Sequence, residues 1–449
     1  MIMKINNKNN AILVKHSKSL EGLIQTPSDK SISHRCIMLG SLCVGETKIK
    51  NLLLSEDTTI TINAMREFGA KIIEDKENNT VNIYGIGIGG LFQPSKNIYL
   101  GNSGTSARLL MGLMSSCSVE VNFEGDNSLS NRPMGRVLNP LSEMGLEILD
   151  ESSGKLPIRL RGSKMSIPIN HKITVPSAQV KSALMFSALN IKGKSTIVEP
   201  IMTRDHTERL FELFGADISV TRNNEGYNLI EIIGEKKLKA QELDIPGDPS
   251  SAAFLIVAGL IVPKSKLIIN NIMLNPTRSL FIDYLIEMGG DIKFKNKYVK
   301  CGEQVCDIEV RSSKLRGIHT PKEVAPSLID EYLALSIAAA YAEGESRFCG
   351  LSELRVKESN RFNAIKDLLN LSGVSCQEVE DDLLVKANEN VRGGSAIKVN
   401  LDHRVAMAAM ILGMNSKYEI SIDDISPIST SFPEFEKIYS QIGGSYRYI

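Results

Sequence analysis

Leu100-Gly101-Asn102-Ser103-Gly104-Thr105-Ser106-Ala107-Arg108-Leu109-Leu110 joins an extended run, Asn97-Ile98-Tyr99-Leu100, to an apolar helix through Met114. Small residues stand where a strand hands over to a helix. The first N–H groups of a helix have no intrahelical partner, so this turn can face an anion. Arg108, one turn in, carries a guanidinium whose fork fits a carboxylate or a phosphate. The plainer alternative is a Gly-rich turn capped by Ser103 or Thr105. Recurrence of the same design along the chain favours the anion-binding reading.

Each recurrence ends on one phrase: an apolar helix end, a glycine, then a strand. It reads Met65-Arg66-Glu67-Phe68-Gly69-Ala70, Leu141-Ser142-Glu143-Met144-Gly145-Leu146, Phe211-Glu212-Leu213-Phe214-Gly215-Ala216 and Leu285-Ile286-Glu287-Met288-Gly289-Gly290, with weaker copies at Gly373 and Gly443. The spacing of roughly 70 to 84 residues exceeds that of solenoid repeats, so each unit is expected to be a small α/β module. Glycine there reads as the left-handed cap that turns the chain back.

Every unit also has an earlier helix, apolar nearly all round and therefore buried. These helices start at Ser31, Thr105, Ser177, Pro249, Asp330 and Asp402. The second helix of a unit, as in Thr207-Glu208-Arg209-Leu210-Phe211, is amphipathic. With β-type runs such as Ser195–Val198 and Lys266–Ile269, the expected unit is strand, helix, strand, strand, helix, strand (βαββαβ). Six units make two lobes of three. Buried helices running side by side would gather their N-termini on one face, each with about half a positive charge.

Composition bounds the rest. A chain of 449 residues predicts two to three domains. Lys+Arg and Asp+Glu are equal at 52, so nothing global points to nucleic acid or an anionic membrane. An anion site must be a local concentration of cations. Met1–Asn10 is polar, without a signal-peptide core, and no apolar run approaches a membrane span. The seven scattered cysteines complete no zinc site. A reduced, cytoplasmic, metal-free protein is expected.

Three decoys fail on context. Gly85-Ile86-Gly87-Ile88-Gly89-Gly90 has dinucleotide spacing, but Leu91-Phe92-Gln93-Pro94 follows instead of a helix. Gly193-Lys194-Ser195 resembles the end of a P-loop, but Ala188 replaces the leading glycine and a strand follows. Cys117 sits among serines that supply no base, so it reads as a structural thiol.

Chemistry concentrates at the helix starts. The residues there are Ser28-Asp29-Lys30-Ser31-Ile32-Ser33-His34-Arg35; Asn131-Arg132-Pro133-Met134-Gly135-Arg136; Ser177-Ala178-Gln179; and Thr203-Arg204-Asp205-His206. In the second half they are Asp330-Glu331; Arg355-Val356-Lys357-Glu358-Ser359-Asn360-Arg361; and Asp402-His403-Arg404. Lys357, Glu358 and Arg361 are placed at one helix start, with Lys357 and Arg361 on one face at i, i+4. His206 and His403 each read equally as a hydrogen-bond partner or a catalyst.

Taken together, Lys30-Ser31 with His34-Arg35, Gly101-Asn102-Ser103-Gly104-Thr105, Arg132-Pro133-Met134-Gly135-Arg136, Pro246-Gly247-Asp248-Pro249-Ser250-Ser251, Leu354–Arg361 and Asp402-His403-Arg404 resemble the 5-enolpyruvylshikimate-3-phosphate synthase family, in order and over nearly the whole chain. The resemblance implies a two-lobed inverted α/β barrel, three repeats per lobe. Residues 1–25 with 243–449 would form one lobe and 26–242 the other, with the active site in the cleft between them. It implies transfer of the enolpyruvyl group of phosphoenolpyruvate to the 5-hydroxyl of shikimate 3-phosphate, with release of phosphate. Addition and elimination need an acid for the methylene carbon, a base for the hydroxyl and cations around the leaving phosphate.

By the same resemblance Glu358 is the proton donor, Asp330 the acceptor, and Lys30 a catalytic lysine bridging both substrates. Shikimate 3-phosphate would contact Lys30, Ser31, Arg35, Ser177, Ala178, Gln179, Arg204, Asp330 and Lys357. Phosphoenolpyruvate would contact Lys30, Gly104, Arg132, Gln179, Arg361 and Arg404. No cofactor is implied, and a monomer is expected. Ser106-Ala107-Arg108-Leu109 and Ser431-Phe432-Pro433, which lacks the lysine of the better-known subgroup, resemble the second, often glyphosate-tolerant subgroup, although position 104 is Gly rather than Ala. Two rivals are a UDP-N-acetylglucosamine enolpyruvyl transferase, whose Cys-bearing Pro-Gly-Gly loop is absent from the sequence, and a two-lobed anion-binding protein without catalysis.

Overall fold

The computed structural model describes residues 10–150, 154–387 and 390–449. The polar N-terminal reading of Met1–Asn10 thus falls almost wholly outside the described residues. The chain forms two compact units. One is discontinuous, made of the chain up to Pro27, Gly247–Lys297 and Cys306–Ile449. The other, inserted unit is Ser28–Pro246 with Tyr298–Val305, the tip of a hairpin formed by strands Asp291–Lys300 and Glu303–Arg311.

Each unit holds three four-stranded sheets among its described residues. In the inserted unit one sheet runs Glu242–Asp244, Val44–Lys50, Thr80–Ile86, Lys71–Asp75. The first pair is parallel and the others antiparallel. The discontinuous unit closes its last sheet with the first of the described strands. Ile12–Lys15 lies between Ile420–Ile422 and Ser445–Tyr448, antiparallel to both.

The order of elements corrects the expected one. A unit reads strand, helix, strand, helix, strand, strand (βαβαββ) rather than βαββαβ. A single strand, such as Lys266–Met273, links helix Pro249–Ile261 to helix Pro276–Glu287. The hairpin comes after the second helix, because the glycine that ends that helix reverses the chain into an antiparallel pair. All six repeat glycines have positive φ: +102° at Gly69, +118° at Gly145, +79° at Gly215, +97° at Gly289, +84° at Gly373 and +107° at Gly443. An L side chain is disfavoured in that conformation.

The first helix of each repeat is buried, as its apolar circumference requires. Every residue of helices Pro249–Ile261, Tyr332–Ala340 and His403–Gly413 is buried. In the inserted unit, helices Gly104–Ser115 and Ala178–Ala188 run parallel in register. Arg108 bonds Gln179 at one end and Ser115 bonds Ser187 at the other. At Gly112 the helices approach so closely that a Cβ would lie 2.1 Å from the Ala183 carbonyl oxygen. Parallel packing puts the two helix N-termini side by side.

The decoys behave as expected. Gly193 leads into strand Lys194–Glu199, and the Gly85–Gly90 run ends strand Thr80–Ile86 without a helix. Burial pushes the Cys117 thiol up to about 11, which makes it unreactive. Among the described residues, no helix is long and apolar enough to cross a membrane.

Candidate active site

The residues singled out by sequence fall into two sets, one in each unit. In the inserted unit, helix Lys30–Leu42 begins on Asp29, whose side chain accepts from the Ile32 N–H at 2.7 Å. This cap fixes Lys30 and Ser31 on the first turn. Lys30 Nζ meets Asp57 Oδ2 at 3.1 Å. Arg35 is buried and fully engaged, donating to the Ser31 carbonyl at 2.9 Å, Ser182 Oγ at 2.7 Å and Thr207 Oγ1 at 2.6 Å.

The Gly-rich turn is capped by Ser103, which accepts from Ser106 N and shares a hydroxyl bond with Ser106 Oγ at 2.7 Å. That hydroxyl continues through Thr61 Oγ1, 2.8 Å away, to His34 Nδ1, a further 2.7 Å. A chain of hydroxyls therefore joins the Lys30 helix to the Gly104 turn. Burial, then the charges of Lys30 and Arg35, hold His34 well below its usual pKa, so it is neutral.

Gly104 lies under two cations. A Cβ there would stand 2.7 Å from Arg108 Nη1 and 3.0 Å from Arg132 Nη1. Arg108 donates to the Gly104 carbonyl at 3.2 Å and to Gln179 Oε1 at 2.8 Å, while Gln179 donates to Thr105 Oγ1 at 3.0 Å. Arg132 donates to Asn102 Oδ1. Gly104, Arg132 and Gln179 are thus brought together, with Arg108 as the link. Ser177 caps helix Ala178–Ala188, so Ala178 and Gln179 occupy its first turn.

Arg204 stands in the turn between strand Lys194–Glu199 and helix His206–Leu213. Its neighbour Thr203 binds Glu199 through both N (3.0 Å) and Oγ1 (2.5 Å). Glu199 and Glu208 share the buried Lys181, at 2.8 and 2.7 Å. Asp205, His206 and Glu303 lie close enough to hold a metal ion. His206 Nδ1 is 2.9 Å from Glu303 Oε1, and the Arg209 guanidinium already supplies the positive charge, 2.8 Å from Asp205. We read an ion-pair network there.

In the discontinuous unit the cluster is tighter. Arg361, 1% exposed, donates from Nε to Asp402 Oδ2 at 2.9 Å and from Nη1 to Asp330 Oδ1 at 3.0 Å. Its Nη2 pairs with Glu358 Oε2 at 2.7 Å. Arg404 donates to the Asp330 carbonyl at 3.1 Å. Asp402 caps helix His403–Gly413 through the Arg404 N–H. Burial opposes ionisation of Asp402, but Arg361 outweighs it and holds the carboxyl below its ordinary value. Burial depresses the Lys357 ammonium, against the upward pull of Asp330 and Glu358.

One expectation is corrected. Helix Arg361–Leu371 starts later than the pattern suggested, capped by Asn360. Lys357 precedes it in extended backbone, so Lys357 and Arg361 share no helix face. Asn360 is the better cap because its short side chain accepts from the Asn363 N–H. Sequence reasoning also missed Asp57, Lys181, Glu199 and the His34–Thr61–Ser106 chain. Asp57 carried a signal, since it stands in the first turn after Ser55, a capping-box start.

The family model for EPSP synthase (3-phosphoshikimate 1-carboxyvinyltransferase) matches residues 14–438. The 3-phosphoshikimate 1-carboxyvinyltransferase of Chelativorans sp. is 48% identical over 96% of both chains, and that of Pseudomonas sp. strain PG2982 is 46% identical over 96% of both. The solved EPSP synthase from Acinetobacter baumannii is 36% identical, covering 97% of this chain and 99% of its own, with a TM-score of 0.85. The enolpyruvyl transferase NikO from Streptomyces tendae, 14% identical with a TM-score of 0.77, shares the fold. The βαβαββ repeats of the two units, helix starts loaded with cations, and two carboxylates held on one guanidinium are accounted for together: the chain belongs to the EPSP synthase family, carries its two-lobed inverted α/β barrel fold, and transfers the enolpyruvyl group of phosphoenolpyruvate to shikimate 3-phosphate.

Proposed function

We propose that both residue sets serve this one reaction, with the acid and base supplied by the discontinuous unit and most of the anion binding by the inserted unit. Asp330 takes the proton of the shikimate 5-hydroxyl as its oxygen attacks the C2 carbon of phosphoenolpyruvate. Glu358 gives a proton to the methylene carbon, which becomes a methyl group. Loss of phosphate from the tetrahedral intermediate, with return of a methyl proton to the enzyme, regenerates the enol double bond.

The observation that carries this reading is Arg361 bonded to both Asp330 and Glu358. One rigid guanidinium sets the spacing of acid and base. An acid must carry a proton when it acts. An anionic substrate on Arg361 would take over the donor that Glu358 holds here, and would place negative charge beside that carboxyl. Both effects favour the protonated form. Lys30, Arg132 and Arg404, with the Gly104 turn and Gln179, meet phosphoenolpyruvate. Lys30, Ser31, Ser177, Ala178, Gln179, Arg204 and Lys357 meet shikimate 3-phosphate, and Arg35 contributes its charge from behind the first turn. The protein works as a cytoplasmic monomer without a cofactor or metal.

The test is a phosphate-release assay with phosphoenolpyruvate and either acceptor. Shikimate 3-phosphate supports turnover and UDP-N-acetylglucosamine does not. Glu358→Gln keeps substrate binding but loses at least about two orders of magnitude in turnover, the usual scale of acid–base catalysis. Near-normal turnover in that variant removes Glu358 from its role.

A further inference from the structure

A chain of buried groups beneath the Gly104 turn takes no part in the mechanism above. His34, on helix Lys30–Leu42, is wholly buried, and its Nε2 has no hydrogen-bond partner among the described residues. Its Nδ1 lies 2.7 Å from Thr61 Oγ1. Thr61 Oγ1 lies 2.8 Å from Ser106 Oγ, and Ser106 Oγ lies 2.7 Å from Ser103 Oγ. Thr61, Ser103 and Ser106 are buried too. Ser103 caps helix Gly104–Ser115, so the chain ends at the start of that helix. All four residues belong to the inserted unit.

Each hydroxyl has one proton to give, and a neutral imidazole has one N–H. The protons can therefore run along the chain in two directions. With the ring proton on Nε2, Ser103 donates to Ser106, Ser106 to Thr61 and Thr61 to Nδ1. Every hydroxyl is then paired, and only the buried Nε2–H is left over. With the ring proton on Nδ1, the ring donates to Thr61, Thr61 to Ser106 and Ser106 to Ser103. The proton of Ser103 is then left over at the helix start, where it has no other acceptor among the described residues. The Asp57 carbonyl, 3.5 Å from Thr61 Oγ1, is too distant to compete. The first direction leaves one polar atom unpaired and the second leaves two, so the first suits the free protein. The second points every dipole of the chain at the helix start. Aligned hydrogen bonds reinforce one another and add to the positive helix end, so an anion there favours it. Between the two, each hydroxyl turns about its C–O bond. The ring releases its Nε2 proton to water and takes one from water at Nδ1, so the proton count is unchanged. We infer that His34 is a positioning residue for phosphoenolpyruvate: the anion at the Gly104 turn reverses the His34–Thr61–Ser106–Ser103 chain, which then presents the Ser103 hydroxyl proton to it. The inference rests on the Gly104 turn meeting phosphoenolpyruvate.

The experiment reads the ring tautomer by ¹⁵N NMR of the full chain labelled at histidine, because protonated and bare ring nitrogens resonate far apart. His34→Asn, or His34→Gln if that variant does not fold, identifies the His34 signals by their loss. The free protein carries the ring proton on Nε2. Phosphoenolpyruvate, added to saturation as followed by calorimetry, moves it to Nδ1. In Ser106→Ala the chain is cut, and phosphoenolpyruvate leaves the tautomer where it was. If Ser106→Ala does not fold, Thr61→Val cuts the same chain at nearly constant volume. Ser103→Gly keeps an acceptable helix cap and removes the last hydroxyl. Its KM for phosphoenolpyruvate rises about three- to tenfold, the scale on which a shift from mostly one state to mostly the other strengthens binding, while KM for shikimate 3-phosphate stays within about twofold. A chain that only supports the fold would show one tautomer throughout. The same tautomer with and without phosphoenolpyruvate, or protons on both ring nitrogens, overturns the inference. So does a shift that survives in Ser106→Ala, or an unchanged phosphoenolpyruvate KM in Ser103→Gly. Arg132→Ala separates the two claims. Equal weakening of both substrates in that variant ends the assignment of the Gly104 turn to phosphoenolpyruvate. Selective weakening of phosphoenolpyruvate, with an unmoved His34 tautomer in wild type, ends only the role of His34.

Discussion

Lys181→Met tests how the inserted unit holds its Arg204 turn. Lys181 is 1% exposed and neutralises two carboxylates at once, Glu199 at 2.8 Å and Glu208 at 2.7 Å. The two acids are not equally placed. Glu199 also accepts from Thr203 N, Thr203 Oγ1 and Asn228 Nδ2, so it keeps three donors when the lysine goes. Glu208 Oε2 has no hydrogen-bond partner among the described residues, and burial already raises its pKa against the pull of Lys181. Removing one partner of a buried ion pair costs about 3–5 kcal/mol. That is a large share of the roughly 5–15 kcal/mol by which proteins are stable.

The loss has a pH signature. A carboxyl with a raised folded pKa binds a proton in the folded state before it does in the unfolded state. Stability therefore falls as pH rises from the unfolded value of 4.5 towards the folded one. The Lys181→Met deficit should be smaller at pH 5.5 than at pH 8. Glu208→Gln leaves a matched Lys–Glu pair and should cost about 1 kcal/mol or less. Urea unfolding followed by far-UV circular dichroism at both pH values measures all of this. A variant within about 1 kcal/mol of wild type at pH 8, or a deficit that grows on acidification, would refute the reasoning. Since Glu199 and Lys181 both bond Thr203, the same substitution should raise KM for shikimate 3-phosphate more than for phosphoenolpyruvate.

Three further outcomes are expected. Gly112→Ala drives a Cβ into the Ala183 backbone, which no rotamer relieves, so the inserted unit loses about 3 kcal/mol in urea unfolding. His34 is held neutral well below 6.5, so the unfolded state binds one more proton and wild type loses up to about 1.4 kcal/mol per pH unit below that value. His34→Asn should reduce the slope of unfolding free energy between pH 5 and 6 by one proton, and an unchanged slope would count against a neutral His34. Arg132→Ala should weaken phosphoenolpyruvate more than shikimate 3-phosphate in calorimetry on each ligand, and equal weakening would remove Arg132 from the phosphoenolpyruvate set.

Much of this was legible in the chain because it is written locally. A glycine that must take positive φ after an apolar helix announces itself at Gly69 or Gly289 without any tertiary knowledge. Ser103, Ser177 and Asp402 cap helices within three residues of themselves. What escaped is what only packing creates. Lys181 looks like a solvated lysine on an otherwise apolar helix until Glu199 and Glu208 arrive from other elements. His34 and Ser106 are far apart in sequence and meet only through Thr61. Arg278 carries no motif, and only the fold seats it on Asp248 and Ser250. The strand order was misread for a related reason: periodicity shows that strands exist but not how many separate two helices.

The place of strand Ile12–Lys15 bears on how the protein is made. It is an inner strand of a sheet whose other members include Ile420–Ile422 and Ser445–Tyr448. At the usual pace of synthesis, roughly 5–20 residues per second, this strand waits about 20 to 90 s for its neighbours. Helices from Lys30 onward emerge meanwhile and can pack. The nascent chain therefore carries two unpaired strand edges until Ile420–Ile422 and Ser445–Tyr448 have been made.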